Sequence, residues 1–291
     1  MPRIGAIFQP SFPPERLRAA VEAAESAGVP ELWLWEDCFR ESAFATAAAA
    51  LAWTEHLKVG IGIAPMPLRN VALTAMEIAT IERMFPGRLL PGVGHGVLDW
   101  MGQVGARVAS PLTLMREYVP ALRALLAGEE VTTSGRYVKL DRVKLDWPPA
   151  VAPRILAAGE GPKTLHLTGE VADGTIIPGG ASAERIAESA AVVRAGRAAA
   201  GRDGDSEVIV FVLAAFGGDE ARERALADLR HWDATADPGR IAAGSVDDVV
   251  ATIRRYEEAG ADAVILQPTG DEPDLEGFYG KVGEVVRAAA A

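Results

Sequence analysis

A (β/α)8 TIM-type barrel, α/β in class, is the fold this sequence predicts. Three observations predict it. Short β-rich runs alternate with longer helical patterns along the whole length, the signature of βα units and a parallel sheet. Eight such pairs can be marked in order. The length of 291 residues suits one barrel of roughly 250 residues better than two full domains. No linker divides the chain, so residues 1–291 are read as a single domain. An open doubly wound sheet has the same order of elements and remains the rival fold.

The first strand is read at 4–9, and a helix at 15–27 follows. In that helix Leu17, Ala20, Val21 and Ala24 recur at helical spacing before Gly28 stops it. The second strand is 32–36, with an alanine-rich helix near 44–53. The third is 57–63, with a helix at 72–84, and the fourth is 88–93. Ser110-Pro111 reads as a cap and first-turn proline for a helix ending at Gly128, with Pro120 expected to kink or restart it. Residues 130–147 alternate by twos, predicting a β-hairpin insertion before strand five. Strand five is 154–158, and Gly161-Pro162 opens the next helix. Strand six is 174–177, with a helix at 183–200. Strand seven is 207–214, with a helix at 219–232. Residues 233–244 read as a loop. Ser245 and Asp248 form a capping box, strand eight is 263–267, and a helix at 275–288 closes the chain.

Composition excludes several functions. A net charge of −11 argues against nucleic acid, which needs a positive footprint, and against an anionic membrane surface. The single Cys38 excludes an internal disulfide and a multi-cysteine metal cluster, and no metal site is expected. The richest apolar stretches, 43–53 and 208–216, fall well short of the ~20 residues that span a bilayer. Residues 1–5 lack the apolar run of a signal peptide, so a cytoplasmic protein is expected.

In such a barrel the site lies at the C-terminal ends of the strands. The residues placed there are Gln9, Glu36, Asp37, Cys38, Ala64, His95, Gly96, Gly159, Glu160, Gly161, Gly179, Gly180 and Gln267. They include no zinc triad and no Ser–His–Asp order; glycine turns, one histidine and adjacent carboxylates suit a cofactor cradle better. Gly92-Val93-Gly94-His95-Gly96 is an incomplete dinucleotide fingerprint, because position 97 is Val. Its bare backbone would let a planar ring approach. Gly159-Glu160-Gly161 leads into a helix N-terminus suited to a phosphate, although a plain βα turn reads the same way. Of the four histidines, His56 falls at the wrong end and His166 and His231 fall within helices, leaving His95.

The ordered motifs resemble the bacterial luciferase-like family of flavin- or F420-dependent oxidoreductases. They are Leu32-Trp33-Leu34-Trp35-Glu36-Asp37, Val59-Gly60-Ile61-Gly62-Ile63, Leu73-Thr74-Ala75, and Gly87-Arg88 through Gly92-Val93-Gly94. Gly161-Pro162-Lys163 followed by Gly169-Glu170-Val171-Ala172-Asp173-Gly174, and Ala243-Gly244-Ser245 through Ala259-Gly260-Ala261-Asp262, complete the set. The pattern is most similar to the methylenetetrahydromethanopterin-reductase-type branch. The resemblance implies a barrel fold and a cofactor across its mouth, F420 with FMN as the alternative. It also implies a bulge at Gly62–Ile63 that often carries a cis peptide. The cofactor surface is then assigned to Asp37, Gly62, Ile63, Ala64, His95, Gly96, Ala158, Gly159, Glu160, Gly161, Gly179 and Gly180.

The implied activity is hydride transfer between a deazaflavin and a small organic substrate. An FMN-dependent monooxygenase fed by a separate reductase, and a non-catalytic cofactor-binding protein, are the alternatives; a homodimer is usual in the family. The chain departs from the family at three places. Cys38 stands where a histidine is common, Val97 where the sugar-phosphate dehydrogenase branch has a glutamate, and Ala181 near that branch's phosphate-binding lysine. Those departures argue against glucose-6-phosphate. They leave His95, Asp37 and Glu36 as proton-transfer candidates, with His95 the choice for the acid/base and Asp37 for a cofactor contact.

Overall fold

The computed structural model describes residues 1–290. The elements run β1 (Arg3–Ile7), α1 (Leu17–Ser26), β2 (Glu31–Leu34), α2 (Ala43–Trp53), β3 (Lys58–Pro65), α3 (Val71–Met84) and β4 (Leu89–Gly94). Then follow α4 (Leu98–Gln103), α5 (Pro111–Leu126), β5 (Val131–Ser134), β6 (Lys139–Val143), β7 (Leu156–Ala158), α6 (Pro162–Val171), β8 (Gly174–Ile177) and α7 (Ala183–Ala199). The last are β9 (Glu207–Phe216), α8 (Asp219–Trp232), β10 (Ala242–Gly244), α9 (Val246–Glu258), β11 (Ala263–Gln267) and α10 (Leu275–Ala290).

Eight parallel strands close on themselves in the order β9-β11-β1-β2-β3-β4-β7-β8, and β8 pairs back onto β9. This is the predicted (β/α)8 barrel, not the open sheet. The strands are buried on both faces, so they read as continuous apolar runs. Inside the barrel Ile7, Trp33, Leu156, Ile176, Ile209, Phe211 and Ile265 pack together; the larger cluster lies between barrel and helices. Trp33 needs room, and β3 supplies it with glycines. A Cβ on Gly62 would sit 2.6 Å from Phe211 Cζ, and one on Gly60 would fall inside the Trp33 indole.

The insertion is a hairpin, β5 paired antiparallel with β6. Glu117 of α5 accepts the amides of Arg136, Tyr137 and Val138 at 2.8–3.0 Å and so ties the turn down. Its second strand ends at Val143, and Trp147 lies beyond it, exposed, under the Arg83 guanidinium.

Two expectations give way, and one helix lay outside them. Pro120 does not restart its helix: α5 is continuous, because Tyr118, Val119, Ala121 and Leu122 are all buried around it and packing outweighs one missing hydrogen bond. The segment 233–244 is not all loop, since Ala242–Gly244 forms β10 against Ala214–Phe216. Small buried residues leave no alternation to read there. The short helix α4 was not foreseen; at six residues it shows less than two turns of periodicity.

Candidate active site

A cavity of about 530 Å³ opens at the C-terminal ends of the barrel strands. Its floor is aromatic. Phe211 of β9 stacks on Trp35 at 6.2 Å and meets Trp33 edge-on at 5.6 Å. Beside this floor β3 slips register between Ile61 and Ala64, and the Gly62–Ile63 peptide is cis. The bulge is therefore where the sequence placed it. The Glu36 amide donates to the Ile63 carbonyl at 3.2 Å, joining the end of β2 to the bulge. The Ile63 side chain lies over Gly94, where a Cβ would come within 2.9 Å of Ile63 Cγ1. Gly96 has φ +67, a backbone conformation that favours glycine.

The two adjacent carboxylates part company. Glu36 is held by Arg69 at two points, 2.5 and 3.0 Å, and also accepts the Ala43 amide at 3.1 Å. A carboxylate so bound is an anchor for the loop after β2 and no longer a candidate acid/base. Asp37 lines the cavity, and burial pushes its carboxyl up, against a hydrogen bond from Trp35 and the charge of Arg40. Burial likewise raises the Cys38 thiol, helped by Glu36 and Asp37, which disfavours a reactive thiolate.

His95 lines the same cavity, and its Nε2 is buried without a hydrogen-bond partner. Burial lowers its pKa, opposed by a hydrogen bond with the Pro111 backbone, so the ring is neutral near pH 7. The other histidines lie elsewhere. His56 borders a hollow at the opposite end of the barrel, His166 pairs with Glu170 at 2.9 Å, and His231 is exposed on α8.

On the far wall lie Ala158, Gly159, Glu160, Gly161, Thr164 and Gly179. One part of the phosphate expectation needs correction. The Gly159 amide already donates to the Ile176 carbonyl at 3.2 Å, closing the β7–β8 ladder, and cannot serve an anion. Among the described residues, the amides of Glu160 and Gly161 have no backbone acceptor, and the first turn of α6 adds its own unpaired amides. A Cβ on Gly161 would meet nothing within 4 Å. Arg185 of α7 donates to the Glu160 carbonyl at 2.8 Å and brings a cation beside this turn.

Two further assigned positions do not reach the cavity. Ala64 is 1% exposed and packs into the core between barrel and helices, since the residues of a strand alternate faces. Gly180, at φ +93, turns toward Leu229, and its carbonyl accepts from Arg240. Gln267 does line it, its amide set by Gln9 at 3.4 Å, while Gln9 bonds to the Pro268 carbonyl. Among the described residues no group of three or more His, Cys, Asp or Glu could hold a metal, and no helix is long and apolar enough to cross a membrane.

The sequence model of the luciferase-like monooxygenase family matches residues 3–242. The chain belongs to that family. This luciferase-like protein is 32% identical to the 5,10-methylenetetrahydromethanopterin reductase of Methanolobus tindarius over 76% of its length and 67% of the relative's. It is 31% identical to an F420-dependent hydroxymycolic acid dehydrogenase of Mycobacterium tuberculosis, over 96% of its own length and 78% of the other's. Its fold matches the coenzyme F420-dependent tetrahydromethanopterin reductase of Methanopyrus kandleri with a TM-score of 0.86 and 20% identity, covering 99% of both chains.

Sequence reasoning did not single out Trp35, Phe211, Thr164 or Arg185. Phe211 sits in a continuous apolar strand, where nothing local says which residue faces the barrel axis. The Leu-Trp-Leu-Trp alternation of residues 32–35 was the available signal for two inward indoles.

Proposed function

We propose that the protein is an F420-dependent oxidoreductase that moves a hydride between the deazaflavin and a small organic substrate. The observation that carries this reading is the cavity. The Gly62–Ile63 bulge, the unpartnered His95 Nε2 and the free amides of Glu160 and Gly161 line one continuous hollow. These features fit a flat ring bearing a phosphorylated tail. The relatives named above support F420 over FMN.

Gly62 and Ile63 would back the ring, Asp37 would meet its polar edge, and the amides of Glu160, Gly161 and the first turn of α6 would hold the phosphate. Arg185 supplies a countercharge there. Bound F420 provides a two-electron hydride acceptor or donor. The protein's share is position, dryness and one proton. Trp35 and Phe211 keep water from the floor. His95, neutral and unpartnered at Nε2, takes the proton a substrate hydroxyl or amine releases on oxidation and returns it on reduction. The same reading takes the protein as a cytoplasmic homodimer acting on small molecules.

Titration of the purified protein with F420 and with FMN, followed by cofactor fluorescence, tests the reading. Tight F420 and weak FMN are expected. The reverse order would move the assignment to a flavin monooxygenase. Tight binding with no turnover over a broad panel of alcohols, ketones and imines would leave a binding protein.

A further inference from the structure

The charged residues that line the cavity are Glu36, Asp37 and Glu160, and no lysine or arginine is among them. Glu36 is neutralised by Arg69, which leaves Asp37 and Glu160 facing the hollow. The nearest cations are already committed. Arg185 is bonded to the Glu160 carbonyl, Arg40 lies beside Asp37, and Arg107 of the segment after α4 holds the Leu98 carbonyl and Asp99. One anion-binding feature, the turn into α6, lines the cavity, and on the reading above the cofactor's phosphate occupies it.

Apart from His95, Thr164 and Gln267, the rest of the wall is apolar. Trp35, Val97 and Trp100 line it on the side of β2 and β4. Val97 is 47% exposed, and Leu98 beside it is 51% exposed. Exposed apolar side chains grouped at a cavity mouth mark a place where apolar surface is meant to be covered. A second anion entering here would meet two carboxylates and no countercharge, and would be desolvated without compensation.

We propose that the substrate is a non-anionic molecule with a predominantly apolar carbon skeleton, held against Trp35, Val97 and Trp100, with Asp37, Glu160 and the lack of a lining cation setting the preference against anions. This rests on the F420 reading for the site of chemistry, but the apolar wall stands without it.

The test is binding of 1-butanol, 1-hexanol and 1-octanol, beside hexyl phosphate, to the protein with and without saturating F420. Tryptophan fluorescence reports binding to the wall, and F420 fluorescence reports the cofactor. Affinity for the alcohols should rise about fourfold per added methylene, the factor that burying one methylene supplies. Hexyl phosphate should bind at least tenfold more weakly than hexanol. Val97→Lys should improve hexyl phosphate at least tenfold and weaken hexanol. The inference is overturned if hexyl phosphate matches hexanol, if chain length has no effect, or if Val97→Lys leaves hexyl phosphate unchanged. Failure of F420 to bind would overturn the cofactor reading instead, and the alcohol series on the cofactor-free protein would still decide this one.

Discussion

At the end of the barrel where the strands begin, Arg3 lies between the buried carboxylates of Glu31 and Glu207, and Arg154 pairs with Glu207 at 2.9 Å. At the end where the strands finish, Asp37 and Glu160 face a hollow of similar size with no cation in its lining. Both ends are concave, and both contain acids. They differ in whether the charges meet. At the lower end burial pushes the Glu31 carboxyl up against the pull of Arg3, and Glu25 gathers the amides of Glu55, His56 and Leu57. Opposite charges there meet, although buried oxygens of Glu31 and Glu207 keep no hydrogen-bond partner. At the upper end His95 Nε2 and the Glu160 and Gly161 amides are left for a ligand. Countercharge, more than the presence of a cavity, separates the two ends.

The strongest way to break this comparison is at His95. His95→Gln should lower kcat roughly 10²–10⁴-fold and leave F420 affinity nearly intact. Burial holds the ring below the ordinary histidine pKa, so the neutral form persists into mildly acidic solution. The acid limb of the kcat profile for oxidation should therefore fall below pH 6.5, the ordinary value, and His95→Gln should abolish it. Normal turnover in this variant would remove His95 from the mechanism, and loss of cofactor binding alone would make it a wall.

The lower end should respond in stability and not in binding. Glu207→Ala removes one partner from the half-exposed Arg3 and Arg154, leaving Arg3 on Glu31, and should cost about 1–2 kcal/mol, with F420 affinity unchanged. Urea unfolding and a cofactor titration on the same sample measure both. A variant of wild-type stability would mean that the ion pairs at this end hold nothing together.

The smallest expected effect sharpens the upper end. Gly161→Leu places a side chain where a Cβ meets nothing within 4 Å, at φ −79, which any residue adopts. Stability should stay within about 0.5 kcal/mol. F420 affinity should weaken at least tenfold, about 1.4 kcal/mol. An unchanged dissociation constant would take the phosphate away from this turn.

Much of the scaffold was legible because period is local. Gly174–Ile177, Asp219–Trp232 and Ala263–Gln267 have the bounds that hydrophobic spacing predicts. Part of the site was legible too, because a barrel places chemistry at strand ends: Gly62–Ile63, His95 and the turn at Glu160 and Gly161 all lie there. Ala64 and Gly180 were assigned by the same rule and miss the cavity, since the rule locates a strand end but not which way its residues face.

From the sequence alone came the order of eight βα units, the end of the barrel that carries the site, and the family resemblance. The tertiary structure decided which polar groups are committed. Glu36 is bound to Arg69, 33 positions away, the Gly159 amide goes to the Ile176 carbonyl, and Arg3 meets Glu207 across most of the chain. Such partners share no spacing or period. They are brought together when the barrel closes, and closure is also what stacks Trp35 on Phe211 and leaves His95 Nε2 without a partner.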